Sequence, residues 1–266
     1  RLAIIAALST VRESGGNPLY LWVILNSLNE KANLVVQDHV ARLKEFPSQS
    51  SATIVNATRD RVRGLTPVEK AVLFIVKNHP NLMSLSGLKK IMQGLSDPKM
   101  HADLVPTVQS LISRNFLLAE AEPGAARSHH YQMRIADPFI GDAVAELIAP
   151  PVRKELHLTV AKSLVQLLSE GLVLPDQVAQ QYALASEKSL AFYYFQEAYR
   201  YYESSGLLKK SKDMVENALS TIGTLDSREK EMSRYELQLK LAKIKVQLGE
   251  YTSAEENLAK LLAVPI

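Results

Sequence analysis

The 266-residue chain has no cysteine, so neither a disulfide nor a thiolate metal site can form, and the composition is compatible with a reducing compartment. Long apolar runs are missing too. No stretch approaches the roughly 18 to 20 residues that cross a bilayer as a helix, and the run from Arg1 to Leu8 is too short, with too little basic flank, for a secretion signal. The expected address is cytoplasmic, without a membrane partner. An excess of one charge is also lacking: 31 Lys+Arg against 28 Asp+Glu leave +3, which argues against nucleic acid as the dominant partner. Two catalytic signatures are absent. Without Gly-x-x-x-x-Gly-Lys-Ser/Thr there is no loop to cradle a triphosphate, and without His-Glu-x-x-His there is no helical zinc pair. What the chain does have is 47% hydrophobic and 22% charged residues, enough for a sizeable core in one large or two modest domains.

Leu2, Ile5, Leu8 and Val11 recur at helical spacing, and Gly15-Gly16 suits the left-handed position that ends a helix. Asn17 and Pro18 then supply an N-cap and a first-turn proline for a second helix over Leu19 to Leu28. A third helix is predicted over Ser51 to Arg63, with Ile54, Val55 and Val62 inward and Arg59, Asp60, Arg61 and Arg63 on a solvated face. A chain opening at Arg1 inside a helical pattern is expected to belong to a longer protein.

At Leu65 the pattern changes. Thr66-Pro67-Val68-Glu69 reads as an N-cap, a first-turn proline and a capping-box acid, opening a helix to about Asn78. Helices near 85–93 and 101–114 follow, then two strand-like runs, Phe116 to Glu120 and His130 to Ile135, around a polar Pro-Gly turn. Three helices closed by a hairpin make the winged-helix order. Such a unit reads DNA with its third helix, yet here that helix carries one arginine, Arg114, and an aspartate, Asp103, so a protein-facing role is expected.

Beyond Pro150-Pro151 the chain reads as helices over 152–169, 176–186, 188–204, 207–221, 228–248 and 251–263. Gly206 with Leu208, Ser211, Val215 and Ala218 recurs 43 positions later as Gly249 with Tyr251, Ala254, Leu258 and Leu261. That spacing is TPR-like: the glycine turns a helical hairpin and the small residue lets its helices approach. The expected fold is mainly α: a small helical lid segment (1–64), a winged-helix domain with one β-hairpin (65–150), and TPR-like α-helical repeats (151–266).

Chemistry-bearing side chains are sparse. His129-His130 falls in the polar hairpin tip without a carboxylate partner, His157 reads as a surface residue beside Arg153, Lys154 and Glu155, and His39, His79 and His101 are isolated. The aromatic run Phe192-Tyr193-Tyr194-Phe195 with Tyr199, Tyr201 and Tyr202 reads as packing between repeat helices, some hydroxyls reaching a concave binding face.

Ser14-Gly15-Gly16-Asn17-Pro18-Leu19-Tyr20-Leu21, the Leu65 to Glu69 helix start, the run Tyr131 to Val144 and Arg153-Lys154-Glu155-Leu156-His157 together resemble the part of a STAND-class AAA+ signal-transduction NTPase that follows its nucleotide-binding core, as in large bacterial regulators. The resemblance covers nearly the whole chain through short, loose motifs in a fairly specific order. It implies that Pro18 packs on the adenine of ATP or ADP, with Gly16 and Asn17 shaping the turn. It also implies that Asp137, a weak candidate, stands where the family has a histidine sensing the diphosphate. A carboxylate there repels phosphate unless a cation intervenes or it is protonated, so an N-cap of the helix starting at Pro138 is the first reading of Asp137. The implied partners are an upstream P-loop core of the same protein and a protein or small-molecule inducer on the repeats. Hydrolysis would belong to that core, so this chain itself is expected to be no enzyme. A TPR-like protein-interaction scaffold without a nucleotide role is the alternative.

Overall fold

The computed structural model describes residues 34–37, 40–43, 54–100, 103–121, 131–222 and 227–262. These carry eleven α-helices and two small antiparallel sheets, so the chain is mainly helical. They divide into two compact units. The first takes the described residues within 1–77, 82–90 and 97–149, and the second those within 78–81, 91–96 and 150–266.

In the first unit, strands β1 (Leu34–Gln37) and β2 (Val40–Leu43) pair antiparallel, with Leu34 opposite Leu43 and Gln37 opposite Val40. The hairpin falls between the helices expected over 19–28 and 51–63, in a stretch to which the sequence assigned no element. Helix α1 (Ile54–Arg63) packs along α5 (Pro138–Leu147), and between them in sequence come α2 (Pro67–Asn78), the two-residue strand β3 (Met83–Ser84), α3 (Leu85–Met92), a short 3-10 turn, α4 (Leu104–Ser113), β4 (Leu117–Ala121) and β5 (Tyr131–Ile135). The strands lie in the order β3-β5-β4, with Met83 opposite Met133 and Leu117 opposite Ile135. β3 adds a third strand to the expected hairpin, and α4 begins at Leu104 after a left-handed Asp103, not at 101.

α2 starts as its sequence dictates. Glu69 N–H donates to Thr66 Oγ1 at 3.2 Å while Thr66 N–H donates to Glu69 Oε2 at 2.8 Å, which satisfies two amides that a helix start otherwise leaves orphaned. From Ala71 to Val76 every residue of α2 is buried and apolar, so this stretch of the helix lies in the unit's interior. Leu88, Val108, Leu111, Phe116, Met133, Ile140 and Val144 are buried in the same unit.

The second unit is a run of antiparallel helices, each packed on the next in the chain: α6 (Pro150–Ser169), α7 (Pro175–Leu184), α8 (Lys188–Ser204), α9 (Leu208–Thr221), α10 (Ser227–Gln247) and α11 (Tyr251–Leu262). Pro150 and Pro151 lie in the first turn of α6, where a missing N–H costs nothing. α8 and α10 end on Gly206 and Gly249, at φ 72° and 78°, in the left-handed region that favours glycine. Leu207 N–H then donates to Tyr202 O and Glu250 N–H to Lys245 O, each at 2.8 Å. Ser186, at φ 66°, ends α7 in the same way, with Glu187 N–H on Tyr182 O at 2.9 Å. Five positions after these three turns come Ala191, Ser211 and Ala254, all buried. Small side chains there let the helices of each hairpin approach. Val215 and Ala218 are buried as their spacing requires, whereas Leu258, expected inward, is partly exposed.

Candidate functional site

Of the residues that sequence points to, Gly16, Asn17 and Pro18 lie outside the described residues, as do His39, His101, His129 and His130. Asp137 is described. It sits between β5 and α5 in extended backbone, φ −145° and ψ 128°, and its Oδ1 accepts from Phe139 N–H at 3.0 Å with Pro138 in the first turn. Asp137 is therefore a helix N-cap, and the positive end of the helix dipole favours its charge.

Its second oxygen is less ordinary. Asp137 is 1% exposed, and Oδ2 meets no hydrogen-bond donor among the described residues. Thr58 Oγ1 on α1, the helix beside α5, is likewise buried without a partner there. A buried oxygen lacking a donor costs about 1–3 kcal/mol, so Asp137 Oδ2 has unused capacity to accept a hydrogen bond.

The arginines of α1 are not the uniform solvated face expected. Arg61 is buried, its Cζ 4.5 Å from the centre of the Phe116 ring and its Nη2 donating to Arg114 O at 2.9 Å. Arg114 also stacks on Phe116, at 5.1 Å, and donates to Glu69 Oε1 at 2.9 Å. Glu69 thus caps α2 with one oxygen and holds Arg114 with the other. Arg59 pairs with Glu146 of α5, while Arg63 stays exposed. Helical periodicity puts Arg61 outward because it cannot see Phe116, a partner distant in sequence.

In the helical unit, His157 is buried and its Nδ1 lies 2.7 Å from Gln181 Oε1, a link between α6 and α7 that overturns the surface reading. The aromatic run divides by face. Phe192, Phe195 and Tyr202 are buried, whereas Tyr193 and Tyr201 are exposed. Tyr182 and Tyr194 stack with ring centres 5.5 Å apart and 8° between planes, and burial raises both phenol pKa values above their usual range. Tyr202 is pushed further, to about 12, by burial first, then by the negative charge of Asp176 at the start of α7 and its hydrogen bond to that carboxylate. Its hydroxyl is a fixed donor, unsuited to acid–base work near neutrality.

Among the described residues no group of three His, Asp or Glu could hold a metal ion, and no helix is long and apolar enough to cross a membrane. No family model, curated protein or solved structure matches the chain.

Proposed function

We propose that this chain is the regulatory and sensor segment of a STAND-type ATPase, a non-catalytic cytoplasmic module that couples the nucleotide state of a P-loop core to the binding of a partner or inducer by its helical repeats. The observation that carries the reading is the order of the two architectures. A unit of order α-β-α-α-β-β with strands arranged β3-β5-β4, which we read as winged-helix, is followed by helices joined by recurring left-handed turns, which we read as TPR-like repeats. Nucleotide occupancy would bias open against closed arrangements by binding one of them better. The test is calorimetry of the full-length protein with ADP. Binding weakened by Pro18→Ala supports the proposal; a full-length protein that binds no adenine nucleotide refutes it.

One observation favours the alternative of a TPR-like interaction scaffold: Asp137 is buried and already committed to capping α5, so the sensor position has a sufficient structural role. A duplex-reading role draws no support. Arg114, the basic residue of α4's end, is held by Glu69 and Phe116, the exposed positions Val105, Pro106, Gln109 and Ser113 carry no charge, and Arg134 pairs with Glu120.

A further inference from the structure

Helix α10 is apolar on two opposite faces. Leu237, Leu241, Ala242 and Ile244 are buried within the helical unit, while Met232, Tyr235, Leu239 and Val246 are 61%, 55%, 48% and 47% exposed. The exposed set is not scattered. Met232, Leu239 and Val246 recur every seven residues, with Tyr235 at the intermediate position, the period with which a helix presents a seam to another helix. The flanks of this seam carry charge: Glu236 and Lys243 lie seven residues apart on one flank, Glu231 on the other, and all three are exposed.

We propose that α10 docks antiparallel on α10 of a second copy of this chain, about a two-fold axis at Leu239. In that pairing Met232 meets Val246 of the other copy, Leu239 meets its own counterpart, and Glu236 comes opposite Lys243. Each flank of an antiparallel two-fold pair meets the same flank of its mate with the direction reversed, so the Glu236–Lys243 attraction occurs twice. A parallel pair in register would instead set Glu231 beside Glu236, acid against acid, at each crossing. The charge pattern therefore selects both the occupant and its direction. The seam from Met232 to Val246 is about 21 Å long at the α-helical rise, so the contact is small and the dimer weak. This inference does not depend on any nucleotide role.

Sedimentation velocity on this chain across a concentration series up to about 100 µM, the range where interfaces of this size populate, tests it. The chain should dimerise reversibly. Leu239→Glu should weaken the dimer at least about tenfold, and Glu236→Lys or Lys243→Glu alone several-fold, since each makes two like-charge pairs. An equimolar mixture of Glu236→Lys with Lys243→Glu should associate again, because both pairs across the mixed dimer become opposite in sign, and the double variant should recover likewise. All these positions are solvent-facing, and circular dichroism confirms that each variant is folded. A chain that stays monomeric throughout the series, a dimer indifferent to Leu239→Glu, or single charge variants that do not recover on mixing each overturn the proposal.

Discussion

In the first unit, Arg61 reaches the carbonyl of Arg114 53 positions away, and Arg114 reaches Glu69 45 positions back, so one aromatic ring and three charged residues tie the ends of three elements together. In the second unit the same kind of work is done by repetition. The turn that ends α7 recurs after α8 and after α10 with the same backbone closure, and each helix packs on its neighbour in the chain. The two halves therefore store stability differently. One buries six successive residues of α2 and joins distant segments through a few side-chain contacts. The other has a succession of similar interfaces, each answering mainly to the two helices that form it.

The largest test of that contrast is truncation at each kind of core. Phe74→Ala, in the buried stretch of α2, should cost about 3–5 kcal/mol and unfold the first unit as a whole. Urea titration followed by hydrogen exchange checks it; loss confined to a few amides near position 74 would break the comparison. Next comes Tyr202→Phe, which leaves the Asp176 carboxylate without its phenolic donor and should cost about 1–2 kcal/mol. The loss should appear around α7 and α8 and leave α10 and α11 unaffected, measured by residue-resolved exchange.

Smaller still are the turns. Gly249→Ala forces a Cβ into left-handed backbone where nothing lies within 4 Å to clash, so the expected cost, about 1 kcal/mol, is conformational alone. Ser186→Gly should move thermal stability the opposite way by a few tenths of a kcal/mol. If both changes had the same sign, the turns would not be equivalent. The smallest effect is on acidification. Burial holds the pKa of His79 below its usual 6.5, so the unfolded chain binds that proton more readily. The contribution of neutral His79 is complete above pH 6.5 and is lost as pH falls through its folded value. Replacing His79 with Gln should flatten that acid slope in a pH series of melts, and an unchanged slope would remove His79 from the account.

How much of this was legible in the sequence depended on how local its cause was. The Thr66–Glu69 capping box and the Gly206 and Gly249 turns were readable because residues within a few positions of each other decide them. The Ser186 turn was not, although Ala191, Phe195 and Ala198 follow it at the spacing seen after Gly206, because serine hides the left-handed backbone that glycine announces. The strands 34–37 and 40–43 are four residues each with no glycine or asparagine between them, and β3 has only two residues, too few to show a period. Burial of Arg61 and His157 was invisible for a different reason. Phe116 and Gln181 are their partners, and tertiary neighbours leave no trace in a helical wheel. At the candidate nucleotide site, sequence offered Asp137 as cap or sensor; the structure supplies the cap and adds an orphaned oxygen that no motif could have suggested.

The buried stretch of α2 has a consequence in time. A helix with one wet face can open a turn at a time, but six successive buried residues, Ala71 to Val76, give their amides no local route to water. Their protons can leave only when the surrounding elements separate together. The slowest-exchanging amides of the first unit should therefore fall in this single stretch and share one rate, keeping a common clock for the lifetime of the folded state.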